Sequence, residues 1–199
     1  MVRNDARRTR LTDAGLAVLA REGARGLTHR AVDREAKVPT GTTSNYFRSR
    51  ADLLEGLVHR IGERLAPDPD VLEALGARRP SRRLFAEYLH HVVDRLQRHR
   101  ELALALFELR LEAARRPEVA EVIGRWRREA YAADVAFNES AGLPGAPAEL
   151  ALFHYAVDGL MLDRLTTSID PDTPVRTVVD ELVRRLLGDA PSSPEGAGS

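Results

Sequence analysis

The sequence predicts an all-α protein, with an N-terminal three-helix helix-turn-helix domain followed by a larger helical bundle. Three observations lead there. Apolar residues recur at helical spacing along the 199 residues, and no segment alternates apolar and polar residues over the length of a strand. Glycine and proline gather at a few points, around Gly23–Gly26, Pro67–Pro80, Gly142–Pro147 and Asp170–Pro174, and so divide the chain into helices. The charge is uneven: residues 1–50 hold 11 Lys and Arg against 5 Asp and Glu, the remainder 19 against 25, although the whole chain nets to +0.

The first helix runs from about Asp5 to Arg21, where Leu11, Ala14, Gly15, Val18 and Leu19 form an amphipathic stripe. Gly23 and Gly26 stop it. Thr28 is a good N-cap for a short second helix that ends near Ala36. Lys37 and Val38 make a tight turn, and Pro39 stands at the first position of a third helix that ends at Phe47. Ser49 caps a fourth, with Leu53, Leu54, Leu57, Val58 and Ile61 on its apolar side. A connection follows over 66–81, with one short helical turn at Val71–Leu75. Longer helices are expected over Ser81–His99, Glu101–Arg115, Pro117–Ser140, Ala148–Ser168 and Val175–Leu187. The run LALALFEL within Glu101–Arg115 is apolar nearly all round, which predicts a central, buried helix. The tail 189–199 is rich in small residues and proline and is expected to be disordered.

Composition narrows the function. A hydrophobic content of 43% with 30% charged residues is ordinary globular composition. Cysteine is absent, which removes disulfides, thiolate metal sites and a cysteine nucleophile. The apolar runs are too short to span a bilayer, and MVRNDARRTR lacks the apolar stretch of a signal peptide. The expectation is a soluble cytoplasmic protein without a membrane partner.

Two short helices joined by a tight turn, inside a basic segment, describe a DNA reader. A major groove admits a helix only if its contact face is slim. The third helix reads Thr40, Gly41, Thr42, Thr43, Ser44, Asn45, Tyr46, Phe47. Gly41 lets the backbone approach DNA closely. Thr40, Thr42, Thr43 and Ser44 offer small polar groups to base edges. Tyr46 reaches a phosphate, while Phe47 locks the helix into the core.

The segment TDAGLAVLAREGARGLTHRAVDREAKVPTGTTSNYFRSRADLL, Thr12 to Leu54, resembles the N-terminal domain of the tetracycline-repressor (TetR) family. The resemblance implies that the helix capped by Thr28 supports and that Pro39–Phe47 enters the major groove. It implies that Tyr46 contacts a phosphate and that Arg50 is a phosphate anchor at the start of the fourth helix; Lys37 and Arg48 are the further residues expected to hold phosphates, and Thr28 is expected at the DNA-binding surface. The family usually has Gly where Lys37 stands and Tyr where Ser44 stands, so Lys37 adds a phosphate contact and Ser44 removes an expected one, and the resemblance does not carry the operator sequence over. The segment FELRLEAARRPEV is similar to stretches in one branch of the family.

By the same resemblance, residues 1–50 are the DNA-binding domain and 51–188 a ligand-binding and dimerisation domain. The implied protein is a homodimeric repressor of double-stranded DNA, released from a pseudo-palindromic operator by a small-molecule effector. The last two helices are the expected dimer surface, with Leu160, Leu165, Leu182, Val183 and Leu186 as candidates. The expected ligand residues are Phe85, Tyr88, Phe107, Glu108, Trp126, Phe153, His154 and Asp158, aromatic or polar groups on otherwise apolar helices.

Two rival classes are open. Glu87 and His90 have the Glu-x-x-His spacing of a di-iron helix, and His90/Asp94 and His154/Asp158 are i, i+4 pairs, which together would suit a metal-binding bundle or enzyme. No second Glu-x-x-His copy, H-E-x-x-H, P-loop or G-x-S-x-G accompanies them, so no catalytic residue, metal or cofactor is expected. The second rival is a structural helical dimer whose head has lost sequence preference.

Overall fold

The computed structural model describes residues 2–188, with side chains from Asp5 onward. The expectation for the tail 189–199 lies outside the described residues. Among the described residues there are ten helices and no strand: α1 Val2–Gly26, α2 His29–Glu35, α3 Thr42–Tyr46, α4 Arg50–Arg64, α5 Pro69–Gly76, α6 Arg82–Arg98, α7 Arg100–Ala113, α8 Pro117–Ser140, α9 Pro147–Leu165 and α10 Val175–Leu186. None of them is long and apolar enough to cross a membrane.

The chain forms two compact units. The first holds residues up to Pro67 together with Arg95–Ala132, and the second holds Asp68–Asp94 with the residues from Ala133 onward. In the first unit, α1 packs on α2, α4 and α7. Its core is built from Leu11, Leu19, Leu27, Phe47, Leu53 and Leu57, all buried, with Leu102 and Leu109 added by α7. Each such side chain removed from water stabilises the fold by about 1.5–3 kcal/mol. The compact unit that holds the helix-turn-helix is thus larger than residues 1–50.

Several helix ends differ from expectation, each for a local reason. α1 continues to Gly26 but breaks at Gly23, whose φ of 69° and ψ of −177° are not helical. α3 begins at Thr42 instead of Pro39, because Gly41 precedes it in the left-handed region at φ 91°. Pro39 closes the turn instead: its carbonyl accepts the Thr42 amide at 3.1 Å. α5 forms where a single turn was expected, capped by the Asp68 carboxylate on the Asp70 amide. α9 ends at Leu165, three residues early, since Asp163 and Arg164 capture the following loop. α7 buries Leu102, Ala105, Leu106 and Leu109, yet Leu111 is 54% exposed and Leu104 and Phe107 are half-buried, so it is not enclosed on every side.

In the second unit α9 packs on α10, and Phe153, Val157, Met161 and Leu165 of α9 and Val179 and Val183 of α10 are buried. Phe85 and Phe153 stack tilted, with ring centroids 4.9 Å apart, and Tyr88 meets Phe137 edge-on at 5.2 Å.

Candidate nucleic-acid interface

The helix-turn-helix is built from caps. Thr28 has an extended backbone, and its hydroxyl accepts the Ala31 amide at 3.1 Å, which starts α2. α2 ends at Ala36, and Lys37 turns the chain with φ 52°, a conformation that suits glycine better than lysine. This is the position where the family pattern usually has glycine. The Val38 amide then donates to the Asp33 carbonyl at 3.0 Å and closes the turn.

Asp33 organises the start of α3. It lies beneath that helix and is 2% exposed. One carboxylate oxygen accepts the Gly41 amide at 2.7 Å. The other accepts the Thr43 amide at 2.7 Å and the Thr43 hydroxyl at 2.5 Å. Burial alone would raise its pKa. The bonds from Thr43 and Gly41, with the His29 ring nearby, outweigh burial and hold it below the usual carboxylate range. The other end of α3 is held by Arg8 of α1. Its guanidinium donates to the Tyr46 carbonyl at 3.3 Å and lies 4.4 Å above the centre of the Phe47 ring. Phe47 is fully buried, and Gly56 of α4 makes room for it: a Cβ there would come within 2.6 Å of the ring.

The expected DNA-facing residues separate into three groups. Thr28, Lys37, Thr40, Ser44 and Arg48 are exposed, while Gly41, Thr42 and Tyr46 are half-buried. The Thr42 hydroxyl donates back to the Pro39 carbonyl at 2.6 Å. Thr43 is a correction: it is 0% exposed and is spent on Asp33, so it cannot approach a base in this fold. Arg50 is a second correction. Its guanidinium donates to the Leu27 carbonyl at 2.8 Å and the Ala24 carbonyl at 2.9 Å, so it fastens α4 to the end of α1 and is no free phosphate anchor. Asn45 was missed. With Thr43 turned inward, the 100° step of a helix turns positions 41 and 45 outward, and Asn45 is exposed. The signal that could have revealed it is the Asp33/Thr43 pair, which fixes the helix's rotation.

The expected ligand residues do not form one set. In the first unit Phe107, Glu108 and Trp126 are half-buried, and the Trp126 indole nitrogen lies 3.1 Å from where a Gly62 Cβ would stand. In the second, Phe85 and Phe153 are buried against each other, and Tyr88, His154 and Asp158 are half-buried. Burial raises the Tyr88 phenol pKa, partly offset by Arg78. His154 meets Asp134 at 3.1 Å. The second unit has an open, polar recess of about 440 Å³ lined by Arg83, Glu87, His90, His91, Arg176 and Asp180, and none of the expected ligand residues lines it.

The would-be metal ligands are engaged elsewhere. Glu87 is paired with Arg78 at 2.9 Å, and that bond holds its carboxyl below the usual range. His90 has its Nδ1 2.8 Å from an Arg176 nitrogen and its Nε2 2.9 Å from an Asp180 oxygen. Among the described residues no three His, Asp or Glu side chains gather as a metal site.

A short helix with a slim polar face, capped from below by Asp33 and clamped at its far end by Arg8, defines a DNA-binding head of the helix-turn-helix class. Residues 11–57 match the family described as bacterial regulatory proteins of the tetR family, and residues 80–189 match the tetracyclin repressor-like C-terminal domain. The chain belongs to the tetR family and is a ligand-responsive, DNA-binding transcriptional regulator. Among solved structures it is similar to the multidrug binding protein EbrR complexed with imidazole, at 28% identity and a TM-score of 0.68, over 95% of this chain and 98% of that one. EbrR complexed with ethidium gives 28% identity and a TM-score of 0.66, over 92% and 99%. A tetR-family member from Streptomyces coelicolor A3 gives 28% identity and a TM-score of 0.70, over 92% and 99%. A search of curated proteins finds no match.

Proposed function

We propose that this protein is a cytoplasmic homodimeric repressor that leaves a pseudo-palindromic operator when a small aromatic cation binds. Residues 1–50 read DNA, and 51–188 bind the effector and pair the protomers. The observation that carries the DNA-reading part is the rotation of α3 fixed by Asp33 and Thr43. It gives a base-facing set of Thr40, Gly41, Thr42, Ser44 and Asn45, with the Asn45 carboxamide suited to a bidentate contact with adenine. Thr28, Lys37, Tyr46 and Arg48 hold phosphates on either side.

Pairing uses the outward face of α9, where Leu152 is 46%, Tyr155 67% and Leu162 44% exposed. A Cβ at Gly159, in the middle of this stripe, would meet nothing within 4 Å. The expected dimer residues Leu165 and Val183 serve their own protomer's core instead, each 4% exposed. A two-fold pair sets two heads about 34–36 Å apart, one helical turn of DNA.

The effector class is supported by the ligands of the EbrR structures, which include ethidium and malachite green. The half-buried residues of the matching chemistry are Phe107, Glu108 and Trp126 in the first unit and Tyr88 and Asp158 in the second: rings and carboxylates, both of which attract delocalised cations. The protein acts by binding, with no reaction of its own. The test is selection of bound sites from a random duplex pool at near-physiological salt, then titration of the selected complex with ethidium or malachite green. A recovered pseudo-palindrome whose complex dissociates with dye supports the reading. A folded dimer that selects no motif, before and after refolding to strip bound ligand, refutes it.

A further inference from the structure

The polar recess of the second unit has no part in the proposed DNA or dye chemistry. It lies between α6 and α10. These helices are tied at one end by Arg176 on the Asp94 carboxylate at 3.0 Å, and at the other by Arg82 on the Gly188 carbonyl. Arg83, Glu87, His90 and His91 follow the spacing i, i+4, i+7, i+8 and so share one face of α6, while Arg176 and Asp180 are one turn apart on α10. The volume of about 440 Å³ is in the range of small-molecule sites. Its walls are charged and polar, unlike the mostly apolar walls that suit a flat aromatic ligand.

Most charges here are already spent, and those left over define the ligand. Glu87 is held by Arg78 at 2.9 Å. Arg176 is divided between Asp94 and the His90 Nδ1, at 3.0 and 2.8 Å. Because Arg176 donates to Nδ1, the ring N–H of His90 is at Nε2. His90 is 7% exposed, and the Asp180 oxygen 2.9 Å from its Nε2 lies off the N–H line, so this buried donor has no directed hydrogen bond. An orphaned buried donor marks a place where an acceptor is wanted. Two opposite charges also stay open. Arg83, its side chain 87% exposed, meets Glu87 only through Nε at 3.5 Å, so both its Nη groups are free among the described residues. Asp180, its side chain 60% exposed, has one oxygen beside His90 and the other free among the described residues.

We infer that this recess is a second small-molecule site, for a zwitterion whose carboxylate and ammonium are several bonds apart, as in an ω-amino acid. Arg83 takes the carboxylate through its two Nη groups, the fork that suits a carboxylate. Asp180 takes the ammonium through its open oxygen. Charge balance requires a ligand of both signs: around the recess Arg78, Arg83 and Arg176 face Glu87, Asp94 and Asp180, so neither a bare anion nor a bare cation meets a net field. Spacing sets the length. Asp180 lies beside His90, which is about 10 Å along α6 from Arg83. The adjacent charges of an α-amino acid do not span that.

The test is calorimetric titration of the full chain with ε-aminocaproate, beside its single-charge counterparts caproate and hexylamine and the short zwitterion free glycine. The expected result is binding of ε-aminocaproate, with the other three at least about ten-fold weaker, each having lost a charge-assisted contact or the span. Arg83→Gln and Asp180→Asn each weaken ε-aminocaproate by about ten-fold or more. Both side chains are exposed, so helix content by circular dichroism stays that of the wild type. Absence of binding at millimolar ε-aminocaproate overturns the site. Caproate or hexylamine bound as tightly as ε-aminocaproate overturns the zwitterion. Binding that survives both substitutions, or that ethidium displaces, puts the ligand elsewhere and overturns the recess. None of these residues belongs to the DNA-reading or dye-binding sets, so a failed operator selection leaves this test standing.

Discussion

Replacing Asp33 tests the reasoning about the DNA-reading helix most directly, because Asp33 touches no DNA in the proposed complex. Its carboxylate, 2% exposed, satisfies the Gly41 amide, the Thr43 amide and the Thr43 hydroxyl. Asp33→Ala leaves all three donors without an acceptor. An unmade bond at a buried donor costs about 1–3 kcal/mol, and loss of an N-cap costs up to about 2 kcal/mol. Gly41 is half-buried, so water recovers part of its loss. The net expectation is about 3 kcal/mol of stability, or about 6–12 °C in Tm for a chain of this size. Asp33→Asn costs less, about 1–2 kcal/mol, since its carbonyl oxygen still serves Thr43 while its NH₂ faces the Gly41 N–H. Thr43→Val placed on Asp33→Ala adds nearly nothing, as a double-mutant cycle through one shared bond requires. Urea unfolding measures these losses. In operator anisotropy below the unfolding midpoint, the expected outcome is that Asp33→Ala weakens the specific site far more than random duplex. A loss under about 1 kcal/mol, with the specific-to-random affinity ratio unchanged, would refute the claim that Asp33 sets the rotation of α3.

The remaining predictions concern the same head. Lys37→Gly relieves the left-handed backbone at φ 52° and gains about 1 kcal/mol of stability while weakening DNA binding; Lys37→Ala weakens binding without the gain, and thermal melts beside anisotropy separate the two. Arg50→Ala removes two charged bonds to the Ala24 and Leu27 carbonyls and costs about 1.5–3 kcal/mol of stability, whereas Arg48→Ala leaves stability alone and lowers the salt slope of binding by about 0.9. The Asp33 pKa is depressed in the fold, so its contribution is present above the unfolded carboxylate range and is lost as pH falls through the folded value. Stability measured from about pH 5 down to about pH 2 therefore drops more steeply in wild type than in Asp33→Asn.

Much of this protein was legible in its sequence. Helical periodicity and the Gly/Pro breaks determined the all-α class and placed most helices within a few residues, because an amphipathic stripe and a missing Cβ or N–H act locally. The caps Thr28 and Ser49 were readable for the same reason: each side chain bonds an amide three residues away. The motif from Thr12 to Leu54 pointed to the family.

The sequence could not decide which way side chains turn when the deciding partner is distant. Thr43 and Ser44 look equivalent in a run of small polar residues, and only the Asp33 carboxylate, ten residues back, turns one inward. Arg50 looks like a phosphate anchor until it reaches the carbonyls of Ala24 and Leu27 across the unit. α9 is apolar on most sides, so its periodicity did not separate core from exposed face. The fold buried Leu165 and Met161 and left Leu152, Tyr155 and Leu162 outside. Local chemistry sets where a helix begins and ends; the angle at which it presents each residue is set by contacts between residues far apart in the chain, which only the tertiary structure brings together.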